Sequence, residues 1–547
     1  MKTKITSFLR RKNFKAHSLL FLCLISFFSH KGQNLLWANA MLGPGGGQGT
    51  EMVVDASGNV YTTGAFSGTT DFDPGVGIFT LTPSGGIDAY VSKLDASGNF
   101  VWAKLFGSSG IDGGQDIALD AAGDVYSLLS LGNTNYIYKL SAAGSTVWIK
   151  NIGGTGESIT LDASGNIYVS GGFAGSSDFD PGAGSFTMTA AGTDIFVSKL
   201  DPSGTFIWAK KMGGTGSDAS YGVAVDASGN VCITGGFSGT ADLDPGAGSY
   251  TVSSGGMGDI FISKLDASGN FVWATAMGWY ANDLGYSIAC DGAGNIYTTG
   301  NYVGTVDFDP GAGTYFLSGS ASAFVLKLNA SGTFGWAKNV GGAPQSIALD
   351  AAGNVYTAGG FLGTEDFDPG VGTYTLTSAG NYDGYISKLN ASGNFVYAGA
   401  FGGADYDICF GLALSAAGIA HVTGFFNGTA DFDPSAGVFN LAGPGTTAGY
   451  IFVVKLGTTA LGINEATNVD NTLYVYPNPS NGNFTLQLKE ELNGGELIVT
   501  DVMGREIFKE ELKRATQQIE LNINVKGLYF MRLDSEGKRM TKKIVVE

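Results

Sequence analysis

One acidic motif recurs along this chain. Asp-Phe-Asp-Pro-Gly stands at Asp71–Gly75, Asp178–Gly182, Asp307–Gly311 and Asp366–Gly370. Asp242–Gly246 carries Leu243 for Phe, and Asp431–Ser435 carries Ser435 for Gly. The paired carboxylates are Asp71 with Asp73, Asp178 with Asp180, Asp242 with Asp244, Asp307 with Asp309, Asp366 with Asp368, and Asp431 with Asp433. Two carboxylates two residues apart beside a turn supply hard oxygen ligands of the kind Ca²⁺ takes. The same residues also make a turn unaided. Proline presets φ, aspartate bonds nearby amides, and the apolar residue between the aspartates pins the loop. The third carboxylate and the distal glutamate of an EF-hand loop are missing. Calcium is thus the one cofactor these residues suggest, and a purely structural turn is the competing reading.

Other chemistry is sparse. His421 is the only histidine beyond residue 33, which leaves no material for a Ser-His-Asp triad or a multi-histidine metal site. It stands where other copies of the repeat carry Tyr61, Tyr126 or Tyr356, so it reads as a packed aromatic substitute. Cys232, Cys290 and Cys409 are odd in number and occupy strand-like positions, as small core residues do. No catalytic set emerges. Paired carboxylates could serve a carbohydrate-active or other hydrolytic enzyme. An active site, however, needs residues that break a repeat, and these carboxylates follow it. Trp279-Tyr280 and Asp405-Tyr406-Asp407 do break it, either as sugar-stacking aromatics or as loop packing.

The motif sits inside a longer unit. Each copy reads like IALD-AAGN-VYTAGGF, then GTEDFDPGVGTYTLTS, then YISKLN-ASGN-FVYAG. Its first acidic position falls at Asp55, Asp120, Asp162, Asp226, Asp291 and Asp350, with Ser415 in the seventh copy. Four short runs alternate at period two and are rich in β-branched and aromatic residues, so they predict strands. Asp-Ala-Ser-Gly-Asn segments predict tight turns between the first and second runs and between the third and fourth. Four strands per repeat is the pattern of a propeller blade. The second copy has all four runs but lacks the acidic motif, which makes that motif an excursion between strands. Alternating strand directions put all the excursions on one face of the disc, which should be strongly acidic. The second blade leaves a notch in its rim.

The count predicts closure. The fourth run carries Trp102, Trp148, Trp208, Trp273, Trp336 and Tyr397 in copies one to six, and the seventh copy stops after FVVKLG. Leu35-Leu36-Trp37-Ala38 stands alone near the N-terminus and supplies the missing strand, which removes an open edge. The fold expected is therefore all-β: a seven-bladed β-propeller closed by its N-terminal strand, followed by a small antiparallel β-sandwich. The repeats resemble the SBBP-type propeller repeats of exported bacterial proteins and, more distantly, NHL blades.

The two ends differ from the middle. Residues 1–33 hold seven Lys/Arg and no acid; six of those bases lie between Lys2 and Lys15 and precede the apolar run Ser18–Phe28, which is too short to span a bilayer, so the segment predicts a signal peptide. Residues 34–472 carry a net −25, which argues against nucleic acid as a partner. No later run is long enough for a membrane helix. After the propeller at 34–457 and a polar linker at 458–472, residues 473–547 show about seven strand-like runs. Tyr476-Pro477-Asn478-Pro479, Gly482, Asp501, Gly504, Gly527-Leu528-Tyr529 and Lys542–Val546 resemble the type A C-terminal sorting domain of type IX secretion cargo in Bacteroidetes-like bacteria. That resemblance implies recognition by the type IX machinery and a secreted or outer-membrane surface-attached product. The expected role is binding, adhesion or structure toward an extracellular glycan or protein, with a hydrolytic propeller as the alternative.

Overall fold

A computed structural model describes residues 33–435, 437–445, 449–457, 473–476, 480, 482–501, 506–523, 527–535 and 538–546. The predicted signal segment up to residue 32 and the linker 458–472 lie outside them. The chain divides into two compact units, Met1–Thr458 and Thr459–Glu547. Strands, joined by turns and bends, make up both units, and no helix of the described residues is long and apolar enough to cross a membrane.

In the first unit each repeat becomes one antiparallel sheet. The first repeat orders Gly47–Val54, Val60–Phe66, Asp88–Leu94 and Phe100–Phe106 side by side. The two middle strands, Val60–Phe66 and Asp88–Leu94, are buried on both faces between neighbouring sheets, while the outer strand Phe100–Phe106 is only partly covered. The Asp-Ala-Ser-Gly-Asn turns work as their residues predict. Asp55 Oδ1 accepts the amides of Ser57 and Asn59, both at 2.9 Å, and Gly58 takes a φ of 83°. In the second repeat Val125–Leu131 turns directly into Thr134–Leu140, without an excursion. Elsewhere the excursion is a narrow hairpin arm, and in the third and fifth repeats the strands Ile167–Asp178 and Ile296–Asp307 run straight out into it.

Seven such four-stranded groups occur among the described residues. The first strand of each packs against the first strand of the next, and Ile408–Leu414 packs back against Gly47–Val54, so the first strands form a closed cycle. This is a β-propeller. The isolated N-terminal strand Asn34–Met41 pairs antiparallel with Tyr450–Gly457 at the outer edge of the last group, with Leu35 opposite Leu456 and Met41 opposite Ile451.

The repeat-borne aromatics join neighbouring sheets. Trp102, Trp273 and Trp336 each donate an indole N–H to a turn carbonyl of the following repeat, Ala142, Ala330 and Ala391, all at 3.2 Å. Trp37 does the same to Ala96 of the first repeat at 3.3 Å, so the last sheet is tied to the first by the same bond. Lysines lie over the buried tyrosines, for example Lys388 Nζ 4.5 Å from the Tyr356 ring centre and 3.2 Å from Asp350.

The second unit is one five-stranded antiparallel sheet, with Leu473–Tyr476, Asn483–Asp501, Gly527–Ser535 and Lys538–Val546 in order and Glu506–Asn522 paired to Asn483–Asp501. The sequence suggests about seven short strands. Here two long ones run through register breaks near Leu492 instead. Phe484 and Leu486 from one half of the long strand share a buried cluster with Leu497 and Val499 from the other half, so the strand doubles back over its own core. Pro477 to Pro479, Asn481, Gly504 and the residues beside it lie outside the described residues.

Candidate functional site

The acidic loops all close in the same way. Asp71 Oδ1 accepts the amides of Asp73 at 3.0 Å and Phe79 at 2.8 Å, and Asp73 Oδ1 accepts that of Gly75 at 2.8 Å. Asp178 with Asp180, Asp242 with Asp244, Asp307 with Asp309, Asp366 with Asp368, and Asp431 with Asp433 repeat this pattern. The residue between the carboxylates, Phe72 in the first loop, is fully buried against Phe66 and Tyr90. Each pair thus spends one oxygen per carboxylate on the backbone of its own turn. Among the described residues no three acidic, cysteine or histidine side chains are placed together to hold a metal ion.

A second set of residues was not singled out from the sequence. Every first strand carries a register shift that bulges one residue out of the ladder: Thr50, Gln115, Glu157, Tyr221, Tyr286, Gln345 and Phe410. Because the first strands pack on one another in a cycle, these seven form a ring at its centre. Each stands five residues before the repeat's acidic or serine anchor, at a position whose identity changes in almost every copy. That variability inside a near-constant repeat was the available signal. The rings of Tyr221 and Tyr286 are 6.3 Å apart, and burial followed by the Glu157 charge raises the Tyr221 pKa.

Beside the ring, adjacent sheets are stitched through polar side chains. Asp116 Oδ2 accepts Ser158 Oγ at 2.9 Å and the Ile159 amide at 2.7 Å, both from the next repeat. Thr50 Oγ1 donates to the Gly114 carbonyl at 2.7 Å. Burial pushes the Asp116 pKa up to about 6. Burial, with the Asp116 charge, pushes Glu51 well up too. His421 has the packed role its repeat position predicts. It is buried, its ring lies 6.3 Å from Trp37, and burial lowers its pKa to about 4.

A third constellation lies where one sheet links to the next. Asp88 and Asp112, Asp194 and Asp218, Asp259 and Asp283, and Asp383 and Asp407 are buried. The second member of each pair is doubly satisfied: Asp283 accepts Trp279 N and Val303 N, both at 2.8 Å. The first member keeps one oxygen, Oδ1, without a hydrogen-bond donor in all four cases. Among the described residues, of these four only Asp194 has a cation beside it, Lys211 Nζ at 2.9 Å. Asp405 and Tyr406 sit in the same link, where Tyr406 stacks on Phe425 with ring centres 5.9 Å apart; Asp407, which the sequence suggests breaks the repeat, is instead the counterpart of Asp112, Asp218 and Asp283. Where the first, second and seventh repeats meet, a cavity of about 540 Å³ is lined by residues that include Gln48, Phe66, Ile111, Gln115, Ser130 and Phe425.

Comparison with known proteins places residues 474–547 in the secretion system C-terminal sorting domain family, the type IX sorting domain. That domain marks the chain for export and for recognition by the type IX machinery. Over 222 residues, 35% of this chain, it is 28% identical to an uncharacterized WD repeat-containing protein of Acanthamoeba polyphaga mimivirus. Over 94 residues, 17% of this chain, it is 31% identical to an endo-acting ulvan lyase of Formosa agariphila. The matches span 16% and 18% of those relatives' own lengths. Among solved structures, the WD40 domain of Neurospora crassa Pan2 aligns with a TM-score of 0.30 at 10% identity, covering 57% of this chain and 86% of that one.

Proposed function

We propose that this chain is an exported, seven-bladed propeller that serves as a binding or adhesion module, secreted or attached at the outer-membrane surface. Its C-terminal domain is a small sandwich that acts as the export address, and its repeats are of the SBBP type. The observation that carries the binding reading is the central ring. Scaffold positions repeat almost unchanged from blade to blade, while Thr50, Gln115, Glu157, Tyr221, Tyr286, Gln345 and Phe410 bring five residue types to one position. A surface that varies inside a constant frame is where specificity resides. Mixed amide, carboxylate and aromatic side chains suit a ligand with both polar and apolar faces.

A hydrolytic reading would draw on Glu51 and Asp116, the pair near the ring whose pKa values are raised. Asp116 is held by donors from the neighbouring repeat, which suits a stitch between blades more than a proton carrier. The test is a binding panel of soluble polysaccharides and peptides on the full chain and on a Tyr221→Ala/Tyr286→Ala variant. At least one ligand should bind and lose about tenfold or more in affinity in the variant. Equal binding by both proteins would remove the ring from the function, and turnover of a panel member would favour the enzyme.

A further inference from the structure

We infer that the cavity between the fourth and fifth sheets is a binding site for a neutral glycan. It lies away from the central ring and goes beyond the binding role proposed for that ring. The cavity measures about 720 Å³, within the range of ligand sites, and its lining includes Trp279, Phe316, Asp307, Asp309, Thr275 and Thr305.

Two aromatic departures from the repeat meet there. Trp279 follows the glycine that ends a blade, where the equivalent residues are Ser108, Gly214 and Gly403. Phe316 stands where other arms carry Thr80, Thr187, Thr251 and Thr375. Neither ring is needed by the frame. The residue before Phe316, Tyr315, is the one that packs, 5.0 Å from Phe334, as Phe79 packs on Phe100 and Tyr374 on Phe395. Successive strand residues point to opposite faces, so Phe316 is turned away from that packing. Its relative exposure is 60%, and that of Trp279 is 50%. The Trp279 backbone is anchored, its amide donating to Asp283 at 2.8 Å, and Tyr280 meets the indole edge-on at 4.8 Å. An exposed aromatic face at a position the fold does not require is a stacking platform.

The polar lining selects the ligand class. Asp307 Oδ1 is used by the amides of Asp309 and Tyr315, and Asp309 Oδ1 by that of Gly311. Those bonds leave the Oδ2 atoms of the two carboxylates to other donors; Thr275 adds a hydroxyl, while that of Thr305 is shared with Ser318 Oγ at 2.8 Å. Sugar hydroxyls are such donors, and the C–H face of a pyranose covers an aromatic ring. No lysine, arginine or histidine lines the cavity, so a uronate or sulfate ester would meet only like charge. A peptide brings as many acceptors as donors and matches this acceptor-rich lining less well.

The test uses the full chain in native gels cast with laminarin, xyloglucan or galactomannan, and alginate as the anionic contrast. Tryptophan fluorescence is titrated in parallel. The decisive variant is Trp279→Ser with Phe316→Thr, which restores the residues of the first repeat and is therefore expected to fold. At least one neutral polysaccharide should retard the wild-type chain, and the variant should lose about tenfold or more in affinity with an unchanged melting temperature. The inference is overturned if the variant binds as wild type does, if alginate alone binds, or if no neutral polysaccharide does. Neutral-glycan binding that survives this variant but not Tyr221→Ala/Tyr286→Ala overturns it while leaving the central ring as the binding surface.

Discussion

Asp383 and Asp407 come from neighbouring repeats and lie buried at one corner, where only one of them is fully bonded. Asp407 accepts the amides of Gly403 at 2.7 Å and Asn427 at 2.9 Å. Asp383 accepts Ala379 N at 2.8 Å through Oδ2, while Oδ1 meets no donor. Burial pushes the Asp383 pKa up to about 6; burial, and then the Asp383 and Asp405 charges, push Asp407 up to about 7. Asp259 behaves alike, raised to about 6 by burial with a further push from Asp283.

Stability should therefore fall as pH rises. A carboxyl group whose folded pKa exceeds its unfolded value binds more protons when folded, so its contribution is complete below about pH 4 and lost through pH 6 to 7. The turn aspartates act oppositely. Asp55, Asp162 and Asp291 are partly buried, but bonds from their asparagine and backbone partners hold them below the usual range, and they lose stability only in stronger acid. Calorimetry at constant ionic strength should find the highest melting temperature near pH 5 and a decline toward pH 8. A flat profile from pH 5 to 8 would contradict the coupling.

The same geometry makes Asp383→Asn a stabilising change. The amide keeps an oxygen for Ala379 N and removes the charge that Asp383 must otherwise bury above about pH 6. We expect a gain of about 1 kcal/mol at pH 8 and almost none at pH 5. Denaturant unfolding at the two pH values checks it, and a loss at pH 8 would refute it.

Removing the closing strand should be severe. A chain starting at Gly45 lacks the partner of Tyr450–Gly457 and the Trp37 bond to Ala96. It exposes an unpaired edge, and we expect a broadened, lowered thermal transition with aggregation. A melt superimposable on that of the intact propeller would disprove the closure.

The acidic loops are expected to treat calcium as they treat any divalent salt. One oxygen of every carboxylate already closes its turn. Added Ca²⁺ should shift the melting temperature no more than Mg²⁺ at equal ionic strength. A calcium-specific rise that disappears when Asp71, Asp73, Asp178, Asp180, Asp307, Asp309, Asp366 and Asp368 become Asn would instead establish cation sites.

Deleting residues 474–547 should leave a folded propeller that fails to cross the outer membrane, because those residues are the sorting domain. Fractionation of the native host decides this, and unchanged surface and medium levels would exclude the role.

Local chemistry explains what was legible in the sequence. Asp55, Gly58 and Asn59 specify a turn from their own side chains, and alternation specifies the strands around it, so the repeat, the arm hairpins and the lone strand at Leu35 could all be read. The bulge at Glu157 and the buried pair Asp383–Asp407 could not. A bulge depends on register against a partner strand, and the depth of an aspartate depends on packing by the next repeat. The long strands of the C-terminal unit look like short ones in the sequence because Gly494, Gly495 and polar residues near Leu492 resemble a turn, whereas the chain breaks register there and resumes pairing with the same strand.

The pairing of Asn34 with Gly457 also has a meaning in time. Among the described residues, the first and last long strands of the propeller belong to one sheet, so Asn34–Met41 must wait, unpaired, for the rest of the propeller to emerge. Contacts so far apart along the chain form late. The segment that releases the wait, Tyr450–Gly457, is made just before the sorting domain. By the time the export address exists, everything needed to shut the ring has already been made.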